Sequence, residues 1–256
     1  MSAQPRHARL GVHTSSFREL PLVAGRDTVD TVIRAMTECG ARECELSSSS
    51  VEPAGFSSDG MEHHASMSTM TPQMMRRELR KWRLRTPASY FAAIGERLQK
   101  AGIRVYAYNY SPDSTFSDEE IDRGFAMARA LGAEMLTTAA PLEVAKRIAP
   151  AAEKHGMAVG VGSGVELAAS HMFKLRVDVV KLIASGVDPV AYLRDHHNDV
   201  ASVYLTDCRG KEDGVLQLLK QEDWPIHTYV GKVDRGHGDV MEEVKRCFVY
   251  AQQALG

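Results

Sequence analysis

Residues 177–210 read VDVVKLIASGVDPVAYLRDHHNDVASVYLTDCRG. An aliphatic run reaches Lys181, a Gly-Val-Asp-Pro stop follows, and Asp188 and Pro189 open an amphipathic helix that leads to a second aliphatic run ending in Tyr204, Thr206 and Asp207. Two apolar runs joined by a helix are the pattern of a βαβ unit with parallel strands.

The same rhythm repeats outward in both directions. Short β-rich runs fall at 9–14, 42–47, 103–108, 133–138, 157–161, 177–183, 200–205 and 225–230. Helical stretches alternate with them and carry their own punctuation. Ser117 with Glu120 makes a capping box, Gly132 supplies a stop, and Pro87 stands just inside a helix start. Eight strands, each followed by a helix, in 256 residues are the size and order of a single (β/α)8 barrel spanning 1–256. A doubly wound open sheet is the alternative.

Composition narrows the function classes. Hydrophobic residues make up 44% of the chain and charged residues 25%, as in ordinary globular proteins. A formal net charge of −2 gives no global field to attract nucleic acid or an anionic membrane, so neither is an expected partner. The basic run RRELRKWRLR (76–85) stands alone and reads as a solvated helix face. No apolar run approaches a bilayer span, and the first twenty residues lack the apolar core of a secretory leader. Cys39, Cys44, Cys208 and Cys247 show neither C-x-x-C pairing nor zinc spacing, which predicts reduced thiols and a cytoplasmic location.

One segment breaks the rhythm. Residues 52–75, EPAGFSSDGMEHHASMSTMTPQMM, carry Gly, Ser, Pro and five Met without a clear period, so a lid-like loop over the barrel mouth is expected there. His63 and His64 lie within it, but adjacent histidines do not readily share one ion.

The phrases KWRLRTPASYFAAIGERLQKAGIRVYAYNYS (81–111), SDEEIDRGFAMARALGAEMLTT (117–138) and VAKRIAPAAEKHGMAVG (144–160) resemble the sugar phosphate isomerase/epimerase family, the xylose isomerase-like barrels. A weaker likeness extends to ECELSSSSVEP (43–53) and GDVMEEVKRCFVYAQQAL (238–255). The resemblance implies a TIM barrel whose C-terminal mouth holds one divalent cation, with proton transfer between neighbouring carbons of a small sugar. It also implies a Glu or His-Asn-His phrase ending the fifth strand, Asp-x-Gly-His the sixth, His-x-Lys-Asp the seventh and Glu the eighth.

This chain departs from nearly all of these. The fifth strand ends VGVGSG, where Ser163 alone offers a polar side chain. Asp178 survives on the sixth, but Lys181 replaces the histidine; on the seventh Tyr204 takes the histidine's place and Asp207 is kept. His227 or Tyr229 lies near the expected glutamate. Divalent ions need three or four O or N ligands, and an ammonium would repel a bound cation. The expectation is therefore no metal and no cofactor, with Lys181, Asp178, Tyr204 and Asp207 as the catalytic set: an organic cation takes over the metal's electrostatic role. A metal site rebuilt from His13, Glu45, His227 and His237 is the competing arrangement. The alternative for the catalytic set itself is a structural ion pair.

Expected substrate contacts are His13, Glu45, Tyr108, Asn109, Ser163, Arg85 and His227, each at or near a strand end or on a helix read as covering the pocket. The resulting reading is a metal-independent isomerase, epimerase or lyase acting on a small sugar-like or keto substrate. Its alternatives are a non-catalytic barrel that binds a ligand or protein, and an ordinary metal-dependent sugar isomerase. A homodimer is left open, since such barrels often pair.

Overall fold

The computed structural model describes residues 9–22, 27–53, 70–162, 167–231 and 239–256. Eight parallel strands close on themselves in sequence order: β1 (Leu10–His13), β2 (Glu43–Ser47), β3 (Arg104–Asn109), β4 (Met135–Thr137), β5 (Ala158–Gly162), β6 (Phe173–Asp178), β7 (Val200–Leu205) and β8 (His227–Val230). The last strand pairs with the first, Gly11 opposite Tyr229, so the described sheet has no free edge. The (β/α)8 expectation holds.

Among the described residues the helices are α1 (Thr28–Cys39), α2 (Pro72–Arg85), α3 (Ala88–Lys100), α4 (Asp118–Ala130), α5 (Leu142–His155), α6 (Val179–Ala184), α7 (Pro189–His196), α8 (Asp213–Glu222) and α9 (Val240–Leu255). They form because their apolar residues recur at helical spacing. In α3, Phe91, Ile94 and Leu98 are buried while Lys100 faces solvent, and each such large apolar side chain stabilises the fold by about 1.5–3 kcal/mol. The capping box of α4 is present in both directions, and the Asp188 side chain accepts from Val190 N at the start of α7. No described helix is long and apolar enough to cross a membrane.

Three expectations are corrected. The sixth strand is FKLRVD, not VDVVKLI. Asp178 accepts from the backbone N–H of Lys181 and thereby caps α6, so residues 179–184 wind into a short helix instead of extending. The end expected at 75 for the lid-like loop is corrected, because Thr71 caps α2 and Pro72 occupies its first turn; residues 54–69 of that stretch lie outside the described residues. His63 and His64 lie outside the described residues. Finally, two of the four cysteines are not free thiols. Cys208, after β7, and Cys247, on α9, form a disulfide with their Cα atoms 5.2 Å apart. Cys39 and Cys44 remain free and buried, and burial pushes the Cys39 thiol up to about 11.

The barrel interior is polar at both ends. At the N-terminal end Glu43 accepts from Arg104 Nη1 (2.9 Å) and Tyr229 OH (3.2 Å) and lies 2.5 Å from His227 Nδ1. Tyr106 stacks on the His227 ring at 3.4 Å. In such barrels this end serves stability and the opposite end serves chemistry. The strand-end position expected for His227 is therefore corrected: it opens β8 and belongs to the floor.

Candidate functional site

At the C-terminal mouth the sequence-predicted residues part company. Glu45 of β2 is wholly buried and is the hub. Its Oε1 accepts from Asn109 Nδ2 (3.2 Å) and from the Thr137 hydroxyl, and its Oε2 accepts from the Tyr204 phenol. Asn109 also donates to Thr137 Oγ1 at 3.1 Å. Four strands thus converge on one carboxylate. Alternation explains the convergence: Glu43 and Glu45 share the inner face of β2, while Cys44 and Leu46 pack outward into the helices.

His13 completes the cluster from the end of β1. Its Nδ1 receives the backbone N–H of Ser15 (3.2 Å) and lies 2.6 Å from the Ser15 hydroxyl, and its Nε2 sits 3.6 Å from Glu45 Oε1. An amide N–H can only donate, so Nδ1 is the lone-pair nitrogen and the neutral ring carries its proton on Nε2, facing the carboxylate. Burial holds the His13 pKa below its ordinary 6.5, against the opposing pull of Glu45 and with help from Arg176. The ring is therefore neutral at pH 7.

Arg176, which sequence reasoning missed, lies on β6 with its guanidinium carbon 4.5 Å from the centre of the Tyr204 ring. Its signal was the strict alternation of FKLRVD, in which Phe173, Leu175 and Val177 enter the core while Lys174, Arg176 and Asp178 take the other face. Thr137 and Ser15 were also missed, being common residues with no motif around them.

The expected catalytic set does not assemble around one space. The Lys181 side chain is 84% exposed and reaches back to Asp178 Oδ2 at 3.2 Å. This corrects its strand-end placement, and its position on the outer turn of α6 follows from the Asp178 cap. Asp178 itself stays at the mouth end of β6, 23% exposed. Asp207 pairs with Lys211 at 3.2 Å. Its loop is held by Glu212, whose carboxylate collects the N–H groups of Thr206, Asp207 and Cys208. Of the four, only Tyr204 joins the Glu45 network.

Other placements also change. Tyr108 is fully buried in the core beside Tyr110, and among the described residues its hydroxyl has no hydrogen-bond partner. This corrects its expected place in the mouth, whereas Asn109 keeps it. Arg85 is exposed on α2, away from the barrel interior. Its neighbour Arg83 is buried instead, donating Nε to Glu52 Oε1 (2.7 Å) and Nη2 to Oε2 (3.0 Å) beneath Phe116. Ser163 and His237 fall outside the described residues.

The donor set fits a divalent cation poorly. Among the described residues no three His, Cys, Asp or Glu side chains gather as a metal cluster. Glu45 already accepts from three donors, the inner face of β5 carries only Ala158, Gly160 and Gly162, none of which offers a ligand side chain, and Arg176 puts a fixed positive charge within the mouth.

Solved structures with the same fold include a sugar phosphate isomerase/epimerase from Parabacteroides distasonis (13% identity, 95% of this chain and 93% of that one, TM-score 0.62). An L-ribulose 3-epimerase aligns over 96% of this chain and 94% of its own at 12% identity and a TM-score of 0.63. A xylose isomerase domain protein from Alicyclobacillus acidocaldarius aligns over 96% and 98% at 13% identity and a TM-score of 0.57. At these identities the likeness is one of fold, and it is the fold that the sequence phrases imply. No protein-family model matches the chain, and no curated protein matches it.

Proposed function

We propose that this chain is an isomerase or epimerase, or a mechanistically related lyase, that moves a proton at a carbon next to the carbonyl of a small sugar-like or keto substrate. The observation that carries the reading is the His13–Glu45–Tyr204 arrangement. A neutral imidazole accepts from Ser15 at Nδ1 and turns its proton-bearing Nε2 to a buried carboxylate. That carboxylate orients the ring and stabilises the imidazolium formed when His13 takes a proton, while Tyr204, Asn109 and Thr137 fix the carboxylate. The Ser15 hydroxyl at Nδ1 is the relay: it passes its own proton to Nδ1 as its oxygen takes the proton from the substrate carbon. Solved barrels of this fold that carry isomerase and epimerase names support the reaction class.

In this reading the reaction needs no divalent cation, which the already engaged Glu45 and the cationic Arg176 favour. A divalent ion bound by the protein's own side chains at the mouth would restore the ordinary metal-dependent reaction, and elemental analysis of purified protein separates the two. A second reading, a ligand-binding barrel without catalysis, draws on the pairs Asp178–Lys181 and Asp207–Lys211, which engage groups that an enzyme would leave available.

The test is proton exchange. Protein stripped with chelator is incubated with a panel of ketoses in deuterated water, and NMR reads deuterium at the carbon next to the carbonyl. Exchange that falls by about 10²–10⁴ in His13→Asn supports the reading, since that is the usual contribution of a general base. Unchanged exchange in the variant removes it.

A further inference from the structure

The inner wall of the mouth is asymmetric. On β5 the inward positions are Ala158, Gly160 and Gly162, and the register partners of the two glycines on β6 are Lys174 and Arg176. A Cβ at Gly160 would crowd Thr137 Cγ2 (3.0 Å) and Met135 Cε (3.2 Å) and would reach the Arg176 stem at an ordinary contact distance of 3.4 Å. At Gly162, directly opposite Arg176, a Cβ would meet nothing within 4 Å among the described residues. Among the described residues the guanidinium has the Tyr204 ring on one side. Among the described residues no carboxylate lies within ion-pair distance of it. The other arginines of the barrel wall and its cover differ: Arg104 is paired with Glu43 and Glu134, and Arg83 with Glu52.

A partly buried guanidinium with no anion beside it among the described residues carries a desolvation cost that an anionic ligand would offset. Its fork matches the two oxygens of a carboxylate, and the tyrosine beneath holds it flat. One guanidinium balances one negative charge. Asp178, two residues on along the same strand, sets a carboxylate at the same mouth and disfavours a dianion.

We propose that Arg176 is the specificity-determining anchor for a carboxylate on the substrate, so that the enzyme acts on a polyhydroxylated keto acid and not on a neutral sugar or a sugar phosphate. The inference rests on the reading of this mouth as the substrate site. In the bound state the guanidinium donates two N–H groups to the carboxylate over the Tyr204 ring, and the chain of hydroxyl-bearing carbons extends toward Asn109 and His13.

The experiment compares three six-carbon probes by calorimetric titration at neutral pH: D-gluconate, D-glucitol and D-glucitol 6-phosphate. None carries a ketone or aldehyde, so binding is read separately from proton transfer; deuterium exchange can fail while this result stands, and the reverse. Wild-type protein is expected to bind gluconate at least about tenfold more tightly than either other probe, the scale of one charge-assisted bidentate contact. Arg176→Gln should collapse that preference, and Arg176→Lys, which keeps the charge and loses the fork, should keep only part of it. Gluconate, but not glucitol, should also slow modification of Arg176 by phenylglyoxal in the wild-type protein, read by peptide mass spectrometry, which needs no variant to fold. Equal binding of gluconate and glucitol, tighter binding of the phosphate, absence of gluconate binding, or a preference that survives Arg176→Gln would each overturn the proposal.

Discussion

The Tyr204 phenol on β7 donates to Oε2 of Glu45 on β2, bridging the barrel interior between strands that are not neighbours in the sheet. Removing the hydroxyl leaves Glu45 with Asn109 and Thr137, so Tyr204→Phe should cost about 1–2 kcal/mol of stability, the penalty for an undersatisfied buried acceptor. Glu45→Gln should keep the fold and lower turnover by about 10²-fold or more, because His13 then loses the charge that stabilises its protonated form. Denaturant titration and deuterium exchange on the two variants check these outcomes.

His13 gives the pH dependence. Its folded pKa lies below 6.5, its ordinary value, so the unfolded chain binds the proton more readily. Stability from this group is present above pH 6.5 and is lost as pH falls from there through the lowered folded value. In His13→Gln the acid-side decline over that window should shrink, as measured by chemical denaturation at a series of pH values. An unaltered decline would assign the effect to other groups.

The Arg83–Glu52 pair ties α2 to the chain just after β2, and both side chains are about nine-tenths buried. Burial raises the Glu52 pKa against the opposing effect of Arg83. Arg83→Ala should therefore destabilise by about 3–5 kcal/mol, because it strands a buried carboxylate. Replacing both partners with apolar residues of similar size should cost less than Arg83→Ala alone.

Cys208 and Cys247 close a loop of 39 residues. In the chain-entropy account a bridge of that span contributes roughly 3–4 kcal/mol. Cys247→Ser should lower the melting midpoint under oxidising conditions and make no difference beyond its own small packing effect under reducing ones. Differential scanning calorimetry in both buffers separates the outcomes.

Two glycines should respond oppositely. A Cβ at Gly124 would lie 2.5 Å from the Tyr110 ring, so Gly124→Ala should destabilise by about 1–3 kcal/mol. A Cβ at Gly162 meets nothing within 4 Å among the described residues, so Gly162→Val should leave the melting midpoint near that of wild type while blocking gluconate binding.

The barrel was legible because eight β-rich runs and their punctuated helices repeat at a regular interval, and β7 falls where its run does. The sixth strand was misread for a physical reason. Its inner face carries Lys174, Arg176 and Asp178, so half of it looks polar, whereas the aliphatic VVKLIA beyond it looked extended yet folds as a capped helix. That one shift moved the cation from Arg176 to Lys181. Glu45, His13 and Asn109, expected as substrate contacts because they stand near strand ends, do lie together at the mouth. The Cys208–Cys247 bridge was invisible because its partners belong to different elements, joined only when α9 packs beside the loop after β7.

The most direct test of the central claim is solvent deuterium incorporation into a polyhydroxylated keto acid by chelator-stripped protein, followed by NMR. The account predicts incorporation at the carbon next to the carbonyl by the wild-type protein, lowered by about 10²-fold or more in Glu45→Gln. Incorporation that occurs only after a divalent metal is restored, or that Glu45→Gln leaves untouched, would contradict it.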